Sequence, residues 1–467
     1  MDQKDVVFIG GGPAGYVGAI RAARLGAKVA LIEADTLGGT CLNRGCIPTR
    51  ALWRGVEFID LVRKAKEYGV NYGAAEVDFA KMMARKEMVV KTTVGGVQLL
   101  MEANGIEVLK GKGTILSSAE VEAVLDGGSS RRLKAGKIII TTGCRYDVPA
   151  VPGAEAIITT DHALSLKEVP KSLIILGGGE VALAFATIFC KLGAAVTILE
   201  ASDRILSEVD GEIVSMLEKE LKKEKIRIQT GARIQAVRPG AANEKEVVFD
   251  VKGEEMSLTA QTVLLTDGRR ANVEGIGLEK AGVRLEGGYI AVNGRMETSA
   301  PGIFAAGDVV GMPHLAHVAF TEGMTAVENA LGGNAEMDYT VVPRCVNTYP
   351  EVASLGLTEA RAKDEGYDLQ IGRFSFGASG MATILGERVG VIKVITDKKY
   401  GQILGVHIIG PRASNLIPEA ALAMKLDATP VEIASTIHPH PTLSEAMMEA
   451  ALDVNGDTIH SISANKK

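Results

Sequence analysis

One 29-residue pattern occurs twice in this chain, and no other feature restricts the fold as much. Residues 6–34, VVFIGGGPAGYVGAIRAARLGAKVALIEA, align without a gap with residues 173–201, LIILGGGEVALAFATIFCKLGAAVTILEA. Gly10, Gly11 and Gly12 fall on Gly177, Gly178 and Gly179, and Glu33 falls on Glu200. Each copy is an apolar run, a glycine turn, a helical stretch and a second apolar run that ends in an acid. This is the dinucleotide-binding strand–helix–strand unit. Gly10 and Gly177 make the tight turn, and Gly12 and Gly179 let the backbone approach a pyrophosphate. Gly15 lets the helix pack close to the strand; its counterpart Ala182 is a mild variation. The helix N-terminus offers free N–H groups to the phosphates, and Glu33 and Glu200 are placed to accept hydrogen bonds from ribose hydroxyls.

Two such units predict two bound dinucleotides with electrons passing between them, and FAD with a nicotinamide nucleotide is the natural pair. A carboxylate at Glu200 repels a 2′-phosphate, so NAD is expected rather than NADP, although Arg204 lies nearby. The rest of the chain is arranged around these units. Residues 35–110 read as mostly helical, and 111–150 as strand-rich, ending in Thr141-Thr142-Gly143. Pro149, Pro152 and Gly153 mark a linker, and residues 260–268 form a buried strand ending at Gly268. Residues 302–308, GIFAAGD, deliver Asp308 to a turn, where a carboxylate can meet a ribityl hydroxyl. From about residue 343 strands are followed by helices, the mark of a separate α+β domain. The expected fold class is α/β: two Rossmann-like dinucleotide-binding domains, for FAD and NAD, plus a C-terminal α+β dimerisation domain. The expected divisions are 1–150 (FAD, first part), 151–272 (NAD), 273–342 (FAD/central, second part) and 343–467 (interface).

Composition narrows the function class. The net charge is −6 with no basic patch, which argues against a nucleic-acid partner. The longest apolar stretch, Val181 to Cys190, is about half the ~20 residues a membrane span needs. Five Cys in 467 residues make no disulfide scaffold and point to redox or metal chemistry in a reducing compartment. The charged N-terminus lacks a signal-peptide pattern, so a cytoplasmic protein is expected.

Cys41 and Cys46 lie in GGTCLNRGCIPTR, five residues apart. On a regular helix such positions point apart, beyond the roughly 7 Å between Cα atoms that a disulfide tolerates. A bridge therefore needs an irregular helix start, which Gly45 and Pro48 permit; a helix N-terminus also lowers a thiol pKa. Two unrelated buried cysteines, or a metal site, remain as alternatives, though no further Cys or His stands at ligand spacing. Cys144, Cys190 and Cys345 are isolated and read as small buried hydrophobes. Near the C-terminus runs HPHPTLSEAMM, in which Thr442 or Ser444 can cap the following helix. Glu445 in that helix's first turn can hold a histidine's second nitrogen. A metal pair of His438 with His440 is disfavoured by the prolines and the lack of a third ligand.

These motifs resemble those of the flavoprotein pyridine nucleotide–disulfide oxidoreductases over essentially the whole chain, most of all the members that oxidise dihydrolipoamide. GGTCLNRGCIP resembles the family's redox-active disulfide motif, TSAPGIFAAGDVVGMPHLAH its second FAD motif, and TYPEVASLGLTE and HPHPTLSEA its interface-domain motifs. The resemblance implies a homodimer, FAD and NAD as cofactors, Cys46 as the thiol beside the flavin and Cys41 as the thiol that exchanges with substrate. It makes His440, reaching in from the other subunit, the base and Glu445 its partner. The FAD set it implies is Gly10, Gly12, Gly15, Glu33, Gly39, Thr40, Arg50, Gly113, Thr142, Gly143, Asp308, Leu315, Ala316 and His317. The NAD set is Gly177, Gly179, Glu180, Ala182, Glu200 and Gly268. The implied partner is the lipoyl domain of a 2-oxo acid, acetoin or glycine-cleavage complex.

Three positions depart from the family pattern. Arg50 and Ala184 replace a Lys and a Glu that pair near the flavin, and Glu180 replaces an aromatic or aliphatic residue at the nicotinamide contact. Arg keeps the charge of Lys but not its shape, and the carboxylate of Glu180 stands at a helix N-terminus where an anion should approach. Drift within a working NAD site and a site retuned to bind NAD(H) less readily are both compatible with these residues. So are reduction of another disulfide, persulfide, quinone or metal by NADH, and an electron-transfer subunit docked on a larger complex.

Overall fold

The computed structural model describes residues 2–73, 76–311 and 313–462. The chain forms two compact units. The first comprises Met1–Pro149, Thr159–Glu168 and Gly268–Asp338; the second comprises Ala150–Ile158, Val169–Asp267 and Tyr339–Lys467.

In the first unit the strand Asp2–Ile9 lies parallel between Val29–Glu33 and Ser130–Ile140, and Ile303–Ala305 adds a further parallel strand beyond Ser130–Ile140. Glu107–Ser117 continues past Val29–Glu33 and turns antiparallel onto Glu120–Leu125, which pairs with Ser130–Ile140. Successive side chains of a strand face opposite ways, and here both faces are covered. Val7 and Ile9 join one core with Ile32, Ile138 and Ile140, while Val6 and Phe8 join another with Leu31 and Ile139. That is why the first strand reads as a continuous apolar run rather than an alternating one. The expected helical stretch becomes the helices Gly39–Arg44, Cys46–Lys64 and Phe79–Ala103.

The second unit repeats the arrangement. Ser172–Leu176 lies parallel between Ala195–Leu199 and Thr262–Leu265. The register is that of the first unit: Phe8 faces Leu31 as Ile175 faces Ile198, and Ile9 meets Ile140 as Leu176 meets Leu265. The same unit holds an antiparallel sheet in the spatial order Arg344–Val346, Glu351–Gly356, Ile403–Gly410, Val391–Asp397 and Leu369–Ser375. The helices Ala413–Lys425 and Glu445–Asp453 contribute to its core. Lys393, 1% exposed, anchors this sheet to the start of the helix Gly211–Lys223. Its Nζ lies 2.9 Å from Asp210, 3.0 Å from Glu212 and 2.7 Å from Glu359.

Candidate active site

The first glycine turn is shaped by atoms that leave no room for side chains. A Cβ on Gly10, whose φ is +109°, would lie 2.3 Å from the Thr141 carbonyl oxygen; one on Gly15 would lie 2.0 Å from the Gly10 oxygen. Gly39, with φ +55°, brings its backbone against Gly12, where a Cβ would meet the Gly12 Cα at 2.7 Å. The helix Pro13–Arg24 starts at Gly12 with its N-terminus open. Glu33 closes the turn, accepting from the N–H groups of Gly11 at 2.6 Å and Asp35 at 2.7 Å. Thr142 donates to the Asn272 carbonyl, and Gly143 turns the chain at φ +67°. Asp308 stands in a one-turn helix behind Ile303–Ala305, 3.6 Å from the Arg269 guanidinium and 3.0 Å from the Cys144 sulfur. Leu315, Ala316 and His317 begin the helix Ala316–Ala330. A side-chain-free cradle at a helix N-terminus, an acid at the second strand and a carboxylate on the neighbouring turn suit the pyrophosphate, adenosine ribose and ribityl chain of FAD. Gly113 instead gives room to Ile9 and Ile32, whose methyls would lie 3.0 and 3.3 Å from a Cβ there.

The cysteine pair sits directly after this turn. The helix Gly39–Arg44 stops at Gly45, with φ −138° and ψ −111°, and a new helix starts at Cys46. The expected break is therefore present, and Pro48 falls in the new helix's first turn. Cys41 and Cys46 are both free thiols here and hydrogen-bond each other. That bond, with Cys41 donating, holds the Cys46 thiol down at about 7, and Arg269 adds to the lowering. The same bond, then burial, push Cys41 up. In the dithiol state the arrangement thus favours ionisation of Cys46 over Cys41. Thr40 lies in the short helix with Cys41, and Arg50 lies on the long one with its guanidinium carbon 6.0 Å from the Trp53 ring centre.

His440 and Glu445 meet as expected: Nδ1 is 2.8 Å from Oε1, and the other carboxylate oxygen accepts from the Thr442 N–H at 2.8 Å. The side chain of His440 is 80% exposed, so its Nε2 edge is available to a partner. The expected helix cap is not made. Ser444 occupies the N-cap position without a capping bond, and its hydroxyl is engaged with that of Thr442, which also donates to the Pro439 carbonyl. His438 points to Glu419 at 2.7 Å, away from any shared metal with His440. Among the described residues no group of three His, Cys, Asp or Glu could hold a metal ion, and no helix is long and apolar enough to cross a membrane.

The second glycine turn copies the first. Gly177 has φ +110°, the helix Glu180–Lys191 starts at Gly179, and Ala182 is fully buried against the strand. Glu200 accepts from the Ser202 N–H at 2.6 Å, as Glu33 does from Asp35. The geometry suits a second dinucleotide in outline. Glu180 stands at that helix N-terminus as expected, and its carboxylate is paired with Arg344, 3.2 Å away. Ala184 is buried in the same helix. Gly268, φ +75°, follows a residue that sequence reading passed over, Asp267, whose carboxylate reaches into the glycine turn. The signal was present, because the third strand of each repeat ends alike, in Thr-Thr-Gly and Thr-Asp-Gly. Arg269 was also missed. Cys144 is no bland core residue: it is half-buried, and burial together with the Asp308 carboxylate pushes its thiol up to about 12, keeping it a donor to Asp308. Cys190 and Cys345 are likewise only half-buried, and the Cys190 sulfur meets the Glu224 carbonyl at 3.1 Å.

Comparison with known proteins agrees with this arrangement. The family described as pyridine nucleotide-disulphide oxidoreductase matches residues 4–323, and its dimerisation domain matches residues 342–451. The chain is 42% identical to a dihydrolipoyl dehydrogenase of Bacillus subtilis, over 98% of this chain and 99% of that one. It is 41% identical to the dihydrolipoyl dehydrogenase of Thermus scotoductus, again over 98% and 99%. Among solved structures, LpdA from Mycobacterium tuberculosis superposes with a TM-score of 0.89 at 26% identity, covering 97% of this chain and 99% of that one. The HOCl-induced flavoprotein disulfide reductase RclA from Escherichia coli gives 0.85 at 26% identity, over 96% and 99%. With two matched glycine turns, a thiol pair after the first of them and the family's dimerisation domain at its C-terminal end, this chain belongs to the pyridine nucleotide-disulphide oxidoreductases.

Proposed function

We propose that this protein is a dihydrolipoamide dehydrogenase, oxidising dihydrolipoamide on a lipoyl domain and passing the electrons to NAD+. The observation that carries the reading is the helix break at Gly45, which sets the Cys41 and Cys46 sulfurs side by side directly after the first glycine turn, in an arrangement that favours ionisation of Cys46 over Cys41. A dithiol–disulfide exchange needs this asymmetry, because the thiolate is the reactive form. The full-length relatives named dihydrolipoyl dehydrogenase support the substrate. The working form is a homodimer in the cytoplasm, divided into FAD, NAD, central and interface domains at about residues 150, 272 and 342. Its partner is the lipoyl domain of a 2-oxo acid, acetoin or glycine-cleavage complex.

The chemistry starts from a Cys41–Cys46 disulfide. His440, brought to the thiols by the other subunit and oriented by Glu445, takes a proton from one substrate thiol. The resulting thiolate attacks the Cys41 sulfur, forming a mixed disulfide and releasing Cys46 as a thiolate. The second substrate sulfur, deprotonated in turn, attacks the first, closing the lipoamide disulfide and freeing Cys41, which takes up a proton. The Cys41–Cys46 pair now carries the two electrons. Gly10, Gly12, Gly15, Gly39, Glu33 and Asp308 would hold FAD, which would supply the two-electron link between the thiol pair and NAD+. Arg269 supports the Cys46 thiolate and pairs with Asp308.

Assay of the purified flavoprotein against dihydrolipoamide with NAD+, and against glutathione disulfide and coenzyme A disulfide with NADH, tests the reading. Turnover with dihydrolipoamide at least about a hundredfold faster than with either disulfide is expected. A preference for another disulfide would refute it.

A further inference from the structure

The two glycine turns are built so alike that each serves as a control for the other. Gly10 and Gly177 share a φ of +109° and +110°. The Thr141 N–H donates to the Ile9 carbonyl and the Thr266 N–H to the Leu176 carbonyl, at 2.9 and 3.1 Å. The residues that follow, Thr142 and Asp267, therefore hold the same place beside the turn. At the first helical position Pro13 corresponds to Glu180. The first turn has one acid at these equivalent places, Glu33; the second has three, Glu200, Glu180 and Asp267.

Those three acids are not alike. Glu200 does what Glu33 does, accepting from the backbone two residues on. Glu180, from the helix, is offset by Arg344, from the strand Arg344–Val346. Asp267 is directed into the turn itself: a Cβ on Gly177 would lie 2.2 Å from its Oδ2, and one on Gly179 would lie 3.2 Å from its Oδ1. The Gly178 and Gly179 N–H groups stabilise its charged form, while partial desolvation, Glu200 and Glu180 all oppose it. The residue stays open to solvent, and so to an arriving ligand.

We propose that Asp267 sets the affinity of the nicotinamide-nucleotide site, competing with the pyrophosphate of NAD for the backbone of Gly177–Gly179. The inference rests on the reading of this turn as the seat of a dinucleotide. A phosphate approaching this turn meets a carboxylate where the first turn presents the neutral Thr142. Two like charges a few ångströms apart in a partly solvated cleft weaken binding by roughly tenfold or more. NAD binds by displacing the Asp267 side chain or by discharging it.

The test is calorimetric binding of ADP-ribose and of NAD+ to the oxidised holoenzyme at pH 8, comparing the natural protein with Asp267→Thr and Asp267→Asn. ADP-ribose carries the pyrophosphate without the nicotinamide and involves no redox step. Asp267→Thr copies the first turn, and Asp267→Asn keeps the shape without the charge; flavin absorbance verifies that each variant is folded. Both variants should bind both ligands about tenfold tighter than the natural protein. Equal or weaker binding by the variants, with measurable binding by the natural protein, overturns the role of Asp267 and leaves the site standing. Failure of ADP-ribose to bind any of the three overturns the site and the proposal together.

Discussion

The hydrogen bond between the two thiols makes a quantitative prediction. Donation from Cys41 is the largest influence on Cys46, which stands at about 7 against an ordinary 9.0. A pKa of 7 leaves about half of the sulfur ionised at pH 7, and one of 9 leaves about 1%, a change of roughly fiftyfold. Cys41→Ala removes the donor and should bring Cys46 most of the way back, with Arg269 retaining part of the lowering. Cys41→Ser keeps a hydroxyl in the same place and should preserve most of the effect. The assay is a pH titration of the long-wavelength absorbance that a thiolate produces beside oxidised flavin, on both holo variants. The midpoint should lie near pH 7 in Cys41→Ser and between one and two units higher in Cys41→Ala, by the size of the shift just given. Coincident midpoints would refute the argument that Cys41 polarises Cys46.

Three further outcomes follow from the same geometry. The carboxyl of Asp267, raised by partial desolvation and by Glu200 and Glu180 to about 6, is neutral below that pH and charged above it. NAD+ affinity should therefore fall as pH rises from 5.5 to 8 and should be flat over that range in Asp267→Asn; a flat profile in the natural protein would contradict it. Glu445→Gln leaves His440 without its carboxylate partner at 2.8 Å, and lipoamide turnover should drop by roughly tenfold to a hundredfold. Flavin reduction by NADH in stopped flow should be unaffected in that variant, and an equal loss in both would point to misfolding instead. Lys393→Met leaves the buried carboxylate of Asp210 without its cation, while Glu212 keeps Arg373 and Glu359 keeps Lys363, and should cost roughly 3–5 kcal/mol. An unchanged denaturation midpoint would show that the network does not anchor the sheet.

Much of this architecture could be read in advance, for a physical reason. A glycine turn under a dinucleotide has almost no chemical freedom: at Gly10 and Gly15 a Cβ would overlap backbone oxygen. Gly45, between Cys41 and Cys46, was legible in the same way, because only a broken helix brings those sulfurs together. What could not be read was set by partners far along the chain. The pairing of Glu180 was not visible because Arg344 lies 164 residues away. Cys144 looked like filler because Asp308, its acceptor, is equally distant in sequence. The Thr442 and Ser444 hydroxyls looked like caps, but they bond each other and Pro439. Asp267 was within reach, had the alignment of the repeats been carried to their third strands.

The central claim is that two electrons from a dithiol come to rest on Cys41 and Cys46 before they reach the nucleotide. Anaerobic addition of dihydrolipoamide to the purified holoenzyme without NAD+, with alkylation and mass mapping of the trapped thiols, tests it most directly. One equivalent per flavin should convert Cys41 and Cys46 from disulfide to thiols while Cys144, Cys190 and Cys345 keep their state. Flavin reduction with that disulfide left intact, or new thiols at any other cysteine, would contradict the account.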